Sequence, residues 1–133
     1  MDRKVMIVDH DSQVRLAVRK LLERAGTKVV EADGGRACLE QLRQGFRGLV
    51  LMEILMPEMD GWDTIRQIVD KGYDLGNIVL VLTALDSPGE QLEDLQNHVV
   101  DYITKPFEPD DLLATCQMYL AYSERLKSIG GES

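Results

Sequence analysis

The sequence of 133 residues is poor in cysteine and aromatic side chains and has no long apolar run. Its two cysteines, Cys38 and Cys116, lie far apart within apolar helical patterns, which is typical of small buried thiols in a reducing compartment. The longest apolar runs, such as residues 78–82, are much too short to span a bilayer. Residues 1–4 lead into a strand pattern without the apolar stretch of a signal peptide. These absences predict a cytoplasmic chain with no membrane association.

Clustered positive charge is also absent. The chain has 15 basic and 23 acidic residues, a formal net charge of -8. No run of Lys and Arg forms a stripe that would neutralise a phosphate backbone, so direct nucleic-acid binding is not expected. An acidic balance is common on solvated surfaces and does not by itself identify a partner.

Short apolar runs alternate with segments of helical period along the whole chain. Strands are predicted at residues 5–8, 28–32, 49–52, 78–82 and 99–103. Helices are predicted between them, including a weakly periodic acidic one at 88–97 and a last one from Pro109 to about Lys127. Short strands that are apolar on both faces and separated by helices require a parallel sheet covered on both sides. We therefore expect a three-layer, doubly wound (βα)5 α/β domain over residues 1–126, with residues 127–133 as a tail or the start of a linker.

Chemically active side chains follow four of the predicted strands. Asp9, His10 and Asp11 follow the first strand and Glu53 the third. Thr83 follows the fourth strand, and Lys105 follows the fifth. In doubly wound sheets ligands bind beyond the carboxyl ends of the strands. Oxygen ligands beside a lysine can hold Mg²⁺ and a phosphoryl group together, so this edge predicts a phosphoryl-type switch site or a descendant of one.

Four segments resemble those of a response-regulator receiver domain with a flavodoxin-like fold. They are residues 5–9, the Met-Pro-Glu-Met-Asp-Gly turn at 56–61, the Leu-Thr-Ala step at 82–84 and residues 102–107. The resemblance covers about residues 4–125. It implies a module of two-component signal transduction in which a histidine kinase phosphorylates an aspartate at the end of the third strand. It also implies Mg²⁺ bound by that aspartate, by an acidic pair after the first strand and by a backbone carbonyl two residues past the acceptor.

The resemblance assigns roles to individual residues of this chain. It implies that Thr83 and Lys105 bind the phosphoryl oxygens and that Tyr102 is the aromatic switch residue that swings inward. Asp9 matches the first acid of the metal-binding pair, and Leu55 supplies the matching backbone carbonyl. Glu53 stands where the family has the phosphoacceptor aspartate.

The site departs from the family pattern at two positions, Glu53 and His10. Glutamate places its carboxylate on the order of 1.5 Å further out than aspartate. Misplacement by about 1 Å can cost in-line phosphoryl transfer a factor of about a hundred. Imidazole is a poor ligand for Mg²⁺, so Asp11 is left as a replacement acid and Mg²⁺ is a doubtful cofactor. We expect Asp-type phosphorylation to be altered or absent.

Two outcomes stay open for Glu53. In one, its carboxylate enters the volume of a phosphoryl group, pairs with Lys105 or Thr83 and holds an active-like conformation. In the other, it pairs with Lys105 in a relic site, and the domain is a rigid interaction module. A carboxylate has less charge and fewer acceptor oxygens than a phosphate, so the sequence favours lost regulation over full mimicry.

The last predicted helix is apolar beyond one face. Met118, Tyr119 and Tyr122 extend its apolar surface past the side expected to contact the sheet. In receivers this region is the usual output and dimer face, so we expect a protein partner there. That partner would be a histidine kinase, an effector domain or a second copy. The alternative is that a C-terminal continuation covers it. Trp62, directly after the Gly61 turn, is expected to be partly exposed.

The sequence also offers features of other classes of function. Asp9 and Asp11 offer the Asp-x-Asp spacing of a small phosphohydrolase, although a second late acidic motif is missing. His10 with Asp9 and Glu53 offers a transition-metal set, and a phosphorelay receiver with unconventional acceptor chemistry is a further alternative. A flavin site would need a Ser/Thr/Gly-rich loop after the first strand, which the sequence lacks. The favoured prediction is a non-enzymatic signalling module.

Overall fold

The computed structural model describes residues 4–85 and 93–129 and shows strands and helices in strict alternation. The elements are β1 (Lys4–Val8), α1 (Ser12–Arg24), β2 (Lys28–Ala32), α2 (Gly35–Arg43), β3 (Leu49–Met52), α3 (Gly61–Asp70), β4 (Ile78–Thr83), α4 (Glu93–Gln96), β5 (Val99–Thr104) and α5 (Pro109–Ile129). Part of the helix predicted at 88–97 lies outside the described residues, as do residues 130–133 of the predicted tail. No helix in the described ranges is long and apolar enough to cross a bilayer.

The five strands form one parallel sheet in the order β2-β1-β3-β4-β5. Alternate side chains of each central strand enter two separate apolar clusters. Val5 and Ile7 pack with α1 and α5 on one face, whereas Met6 and Val8 pack with α2 and α3 on the other. This arrangement confirms the predicted doubly wound, flavodoxin-like α/β fold.

Strand β5 differs from the expectation that every strand is apolar and buried on both faces. Its residues are half-buried or exposed, because β5 lies at the edge of the sheet and pairs with β4 alone. The Tyr119 hydroxyl of α5 lies across this edge, 3.2 Å from the Val100 carbonyl oxygen and 3.2 Å from a carboxylate oxygen of Asp101. Part of the edge is therefore covered from within the chain.

Trp62 corrects a second expectation. It is only 4% exposed and belongs to the apolar cluster between the sheet and α3, together with Ile65 and Ile68. The physical reason is helical period, since residues 62, 65 and 68 fall on one face of α3 and that face packs on the sheet. The Trp62 indole Nε1 has no hydrogen-bond partner within the described structure.

Gly61 allows α3 to begin directly against the end of β3. Its backbone N–H donates to the Ile54 carbonyl at 2.9 Å. A Cβ atom at this position would lie 2.4 Å from the Glu53 carbonyl oxygen and 2.7 Å from the Ile54 Cα, both of which are backbone atoms. Because glycine has no side chain, the backbone after β3 and the first residue of α3 can lie in direct contact.

We expect Gly61→Ala to lower the free energy of unfolding by about 1–3 kcal/mol, because the backbone must shift to make room for the new methyl group. Gly34→Ala is the matched control, since nothing lies within 4 Å of its added Cβ, and should change stability by less than about 0.5 kcal/mol. Urea denaturation followed by fluorescence of the single tryptophan measures both. Equal effects of the two substitutions would contradict this account.

Candidate functional site

The backbone hydrogen bonds of the sheet continue one residue beyond several strands, and these bonds position the site residues. The N–H of Asp9 donates to Ala32 at 3.1 Å, and that of Glu53 donates to Val8 at 3.0 Å. The N–H of Lys105 donates to the Thr83 carbonyl at 2.7 Å. The strand order therefore brings Asp9, Glu53, Thr83 and Lys105 to one edge of the sheet, as the sequence predicted.

The centre of the site is a lysine shared by two carboxylates. The Lys105 ammonium donates to Asp9 Oδ2 at 2.6 Å and to Glu53 Oε1 at 2.7 Å. Asp9 is 1% exposed and Glu53 4% exposed. Carboxylates this deeply buried require an opposite charge and hydrogen bonds, and the single ammonium supplies both to each of them.

The remaining Glu53 oxygen is bonded by the backbone of its own turn. Oε2 accepts from the N–H of Ile54 at 2.7 Å and from the N–H of Leu55 at 3.1 Å. The nearby Thr83 hydroxyl helps to lower the pKa of the same carboxylate. Both oxygens of Glu53 are therefore satisfied from within the protein.

The electrostatics of Glu53 and Lys105 favour the charged form of both. Burial alone would raise the pKa of Glu53, but hydrogen bonds from Lys105, Thr83 and Leu55 outweigh it and lower that pKa. Burial would likewise lower the pKa of Lys105, but its hydrogen bonds to Asp9 and Glu53 and their negative charge raise it. The ion pair is therefore stable across the neutral pH range.

Hydrogen bonds through Leu85 link Thr83, which lies beside Glu53, to the aromatic residue of β5. The Thr83 hydroxyl accepts from the Leu85 backbone N–H at 3.4 Å. The Tyr102 hydroxyl donates to the Leu85 carbonyl at 3.0 Å, and its ring packs against the core. Tyr102 thus lies inward and is joined to the site through Leu85.

His10 and Asp11 lie beside the site without joining the ion pair. His10 is half-exposed, and its Nδ1 is 3.9 Å from Asp9 Oδ1. Asp11 caps α1, where its carboxylate accepts from the Gln13 N–H at 2.9 Å, and its own N–H donates to Asp9 Oδ1. The capping role competes with the predicted role of Asp11 as a replacement metal ligand.

The donor set is a poor fit for Mg²⁺, which prefers six oxygen ligands. The Lys105 ammonium already engages one carboxylate oxygen of Asp9 and one of Glu53. In the described ranges of the chain, no group of three His, Cys, Asp or Glu side chains is placed to hold a metal ion. Leu55 contributes its N–H to Glu53, and the structure assigns no ligand role to its carbonyl.

Arg15 is a site-supporting residue that the sequence analysis missed. Its guanidinium donates to the Asp9 carbonyl at 2.6 Å and to Glu31 on β2 at 2.8 Å. Arg19 bonds the second Glu31 oxygen at 2.9 Å, and these hydrogen bonds from Arg19 and Arg15 lower the pKa of Glu31. The available signal was an arginine one helical turn after the Asp11 cap.

The candidate partner face on α5 is partly exposed. Met118 is 55% exposed and Tyr122 is 51% exposed, whereas Tyr119 is half-buried and bonded to β5. Leu112, Cys116 and Leu120 pack inward against the sheet. The three residues predicted for this face therefore divide into two that are exposed and one that is engaged within the chain.

Comparison with known proteins identifies the family to which this geometry belongs. Residues 5–117 match the model of the response regulator receiver domain, and the chain belongs to that family. A CheY-like response regulator receiver domain protein from Methanospirillum hungatei JF-1 has a TM-score of 0.87 and 44% identity, covering 92% of this chain and 97% of its own.

Curated relatives are similar over the same region. Response regulator MprA of Mycolicibacterium vanbaalenii is 35% identical over 90% of this chain and 51% of its own length. Transcriptional regulatory protein ZraR of Escherichia coli K12 is 34% identical over 92% of this chain and 27% of its own length. The chain thus spans about half, or less, of these relatives.

Membership defines the class of activity at a coarse level. Receiver domains act in two-component signalling, interact with histidine kinases and effector domains, and are generally not enzymes. They commonly bind Mg²⁺ at the acceptor site.

We expect Lys105→Met to destabilise the protein by about 3–5 kcal/mol at pH 7, because it leaves two buried carboxylates without their cation. The lowered pKa of Glu53 stabilises the wild type above the ordinary glutamate pKa, and this contribution is lost as pH falls through the lowered value. In the variant the pKa of Glu53 should rise, so the deficit should shrink as pH falls from 7 towards 4.5. Urea denaturation across this range measures the effect.

Lys20→Met is the control, since Lys20 is exposed on α1 and away from the site. It should change stability by less than about 0.5 kcal/mol at either pH. A Lys105→Met deficit that is the same at both pH values would show that lost packing, rather than charge, is responsible.

Proposed function

We propose that the chain is a receiver module that acts through protein–protein contacts without the ordinary cycle of aspartate phosphorylation. The observation that carries this proposal is the Lys105 ammonium held between the buried carboxylates of Asp9 and Glu53. The family resemblance gives Lys105 and Thr83 the task of binding phosphoryl oxygens. In this chain Lys105 already bonds Glu53, and Thr83 lies beside the same carboxylate.

The nucleophile position supports the same conclusion. Oε1 of Glu53 is bonded to Lys105, and Oε2 is bonded to two backbone N–H groups. An attacking oxygen would have to give up these hydrogen bonds inside a site that excludes water. In-line transfer also requires close placement of the reacting atoms, which the longer glutamate side chain alters.

Charge balance argues against a tightly bound Mg²⁺. An acidic pair with an acidic acceptor places three carboxylates beside one lysine, and a divalent cation offsets the excess negative charge. Here His10 replaces one acid, which leaves Asp9 and Glu53 beside Lys105. The ammonium then neutralises much of the remaining charge, so we infer that this site does not depend on a divalent cation.

We expect no phosphoryl adduct on the wild-type chain after incubation with acetyl phosphate and Mg²⁺, as measured by intact-mass spectrometry. The double substitution Glu53→Asp with His10→Asp should restore Mg²⁺ binding by calorimetry and a hydroxylamine-sensitive acyl phosphate. The reason is that it restores the shorter nucleophile and the missing oxygen ligand together.

Glu53→Gln is the matched control, because an amide cannot form an acyl phosphate. A wild-type adduct that disappears in Glu53→Gln would contradict the proposal and favour the alternative of a phosphorelay receiver with unconventional acceptor chemistry. A double variant that neither binds Mg²⁺ nor forms an acyl phosphate would show that other residues of the pocket prevent the reaction, with Lys105 as the first candidate.

The hydrogen-bond chain to Tyr102 favours partial mimicry of an activated state over a relic site. Thr83 lies beside Glu53 and accepts from the Leu85 N–H, and the Leu85 carbonyl accepts from the Tyr102 hydroxyl. In receivers the inward position of this aromatic residue accompanies the movement of the threonine. A carboxylate that bonds the threonine permanently would hold Tyr102 inward without phosphate, although with less charge than a phosphate supplies.

We expect Glu53→Gln to change the NMR signals of Thr83, Leu85 and the Tyr102 ring, because the amide weakens the hydrogen bonds that connect them. Glu40→Gln is the control, since Glu40 is exposed on α2 and pairs with Arg43. Unchanged Tyr102 signals in Glu53→Gln would favour the relic interpretation instead.

The competing enzyme hypothesis is less well supported by the geometry. A phosphohydrolase would need Asp9 free as a nucleophile and Asp11 free as an acid. Asp9 is bonded to Lys105 and to the Asp11 N–H, and Asp11 caps α1. Turnover of a generic phosphomonoester, lost in Asp11→Asn, would support the hypothesis.

The partners and location of the module are also part of this proposal. A histidine kinase or an effector domain fits the family, and the exposed Met118 and Tyr122 offer a contact surface that would also allow a homodimer. A cytoplasmic location agrees with Cys38 and Cys116, which are free thiols whose burial raises the pKa of each to about 12.

A further inference from the structure

We propose that the groove between α2 and α3 is a docking site for an acidic peptide segment of another protein, with one apolar side chain flanked by carboxylates. The groove lies on the flank of the sheet, apart from the Asp9–Lys105–Glu53 site and from the α5 face. The proposal therefore does not depend on whether the chain is phosphorylated.

The floor of the groove is apolar and large enough for one side chain. A cavity of about 350 Å³ opens between the two helices, and Leu39, Met59 and Tyr73 lie partly buried along it. At one end the helices approach closely, since a Cβ added to Gly35 would lie 2.3 Å from the Thr64 hydroxyl oxygen. The groove is thus an open apolar depression of a size that suits a single anchoring side chain.

Three cations line the same cavity. Arg36 and Arg43 come from α2, and Lys71 follows the end of α3. Arg43 bonds Glu40 at 2.6 Å, and hydrogen bonds from Arg43 and Gln44 hold the pKa of Glu40 at about 2, so Glu40 stays charged. Among the described residues, Arg36 and Lys71 have no ion pair or hydrogen bond through their side chains. Two cations at the groove are therefore available to a ligand.

The positive charge of the groove contrasts with the negative charge of the rest of the chain. Residues 1–71, which include the groove cations, hold twelve basic and twelve acidic side chains. Residues 72–133 hold three basic and eleven acidic side chains, which accounts for the whole net charge of -8. The lining of the groove holds three cations and one carboxylate, so it is a local cationic surface on an anionic protein, which favours an anionic ligand over a neutral one.

The combination of features selects a peptide over a nucleic acid. Nucleic-acid sites need a continuous row of cations along a phosphate backbone. Here only two free cations lie beside an apolar groove, and they form no continuous row. Carboxylates on either side of a leucine or similar residue match this pattern.

The test uses the full chain and the synthetic peptide Glu-Asp-Leu-Glu-Asp with blocked ends. We expect its titration to shift the amide NMR signals of Leu39, Arg43 and Lys71, and a Gln-Asn-Leu-Gln-Asn peptide to leave them unchanged. Arg36→Glu with Lys71→Glu should weaken binding by at least about tenfold, since two attractive charges become repulsive. Lys20→Glu, on the opposite face of the sheet, should change the affinity by less than about twofold.

Several results would overturn the proposal. Equal binding of the neutral peptide would remove the role of the cations. An unchanged affinity in the double charge reversal, with signals shifting elsewhere, would place the peptide at another site. Tighter binding of an oligouridylate would identify a polyanion site, and concentration-dependent self-association that is lost in the double variant would identify a second copy as the occupant.

Discussion

The carboxyl edge of this domain depends on one ammonium group shared by two buried carboxylates. Asp9 and Glu53 follow neighbouring parallel strands, so the topology forces them together away from water. Two adjacent buried negative charges are not stable without compensation. Lys105 supplies it from the loop after β5, and each of its contacts is shorter than 2.8 Å. Removal of any one of the three charges therefore leaves the buried charges unbalanced and destabilises the site.

This interaction also sets the conformation of the surrounding loops. Because Lys105 holds one oxygen of Glu53, the other oxygen faces the turn after β3 and accepts from Ile54 and Leu55. Gly61 then lies against the same turn, which fixes where α3 begins. On the other side, Thr83 and Leu85 connect Glu53 to Tyr102. We therefore expect a change of charge at Glu53 to alter the local conformation of α3 and β5 through direct contacts, without a long pathway.

The sequence predicted the architecture and the four strand ends because these follow from local pattern and parallel topology. It placed Trp62 wrongly, since the helical period that buries it was not applied to the first turn of α3. It overestimated the burial of β5, because pattern alone does not show which strand is at an edge. It did not find Arg15, whose contacts join residues of three different elements. Long side-chain contacts of this kind depend on the assembled fold and leave little local signal.

The two departures at Glu53 and His10 are best understood as one change in charge balance. A glutamate alone would bring a longer carboxylate to Lys105 while an intact acidic pair kept its demand for a divalent cation. A histidine alone would weaken metal binding while a short acceptor stayed out of reach of internal donors. In this chain one ammonium contacts both carboxylates, and two backbone N–H groups bond the second oxygen of Glu53. This charge balance is the physical basis of the proposed loss of aspartate phosphorylation, because the buried charges are compensated from within the protein.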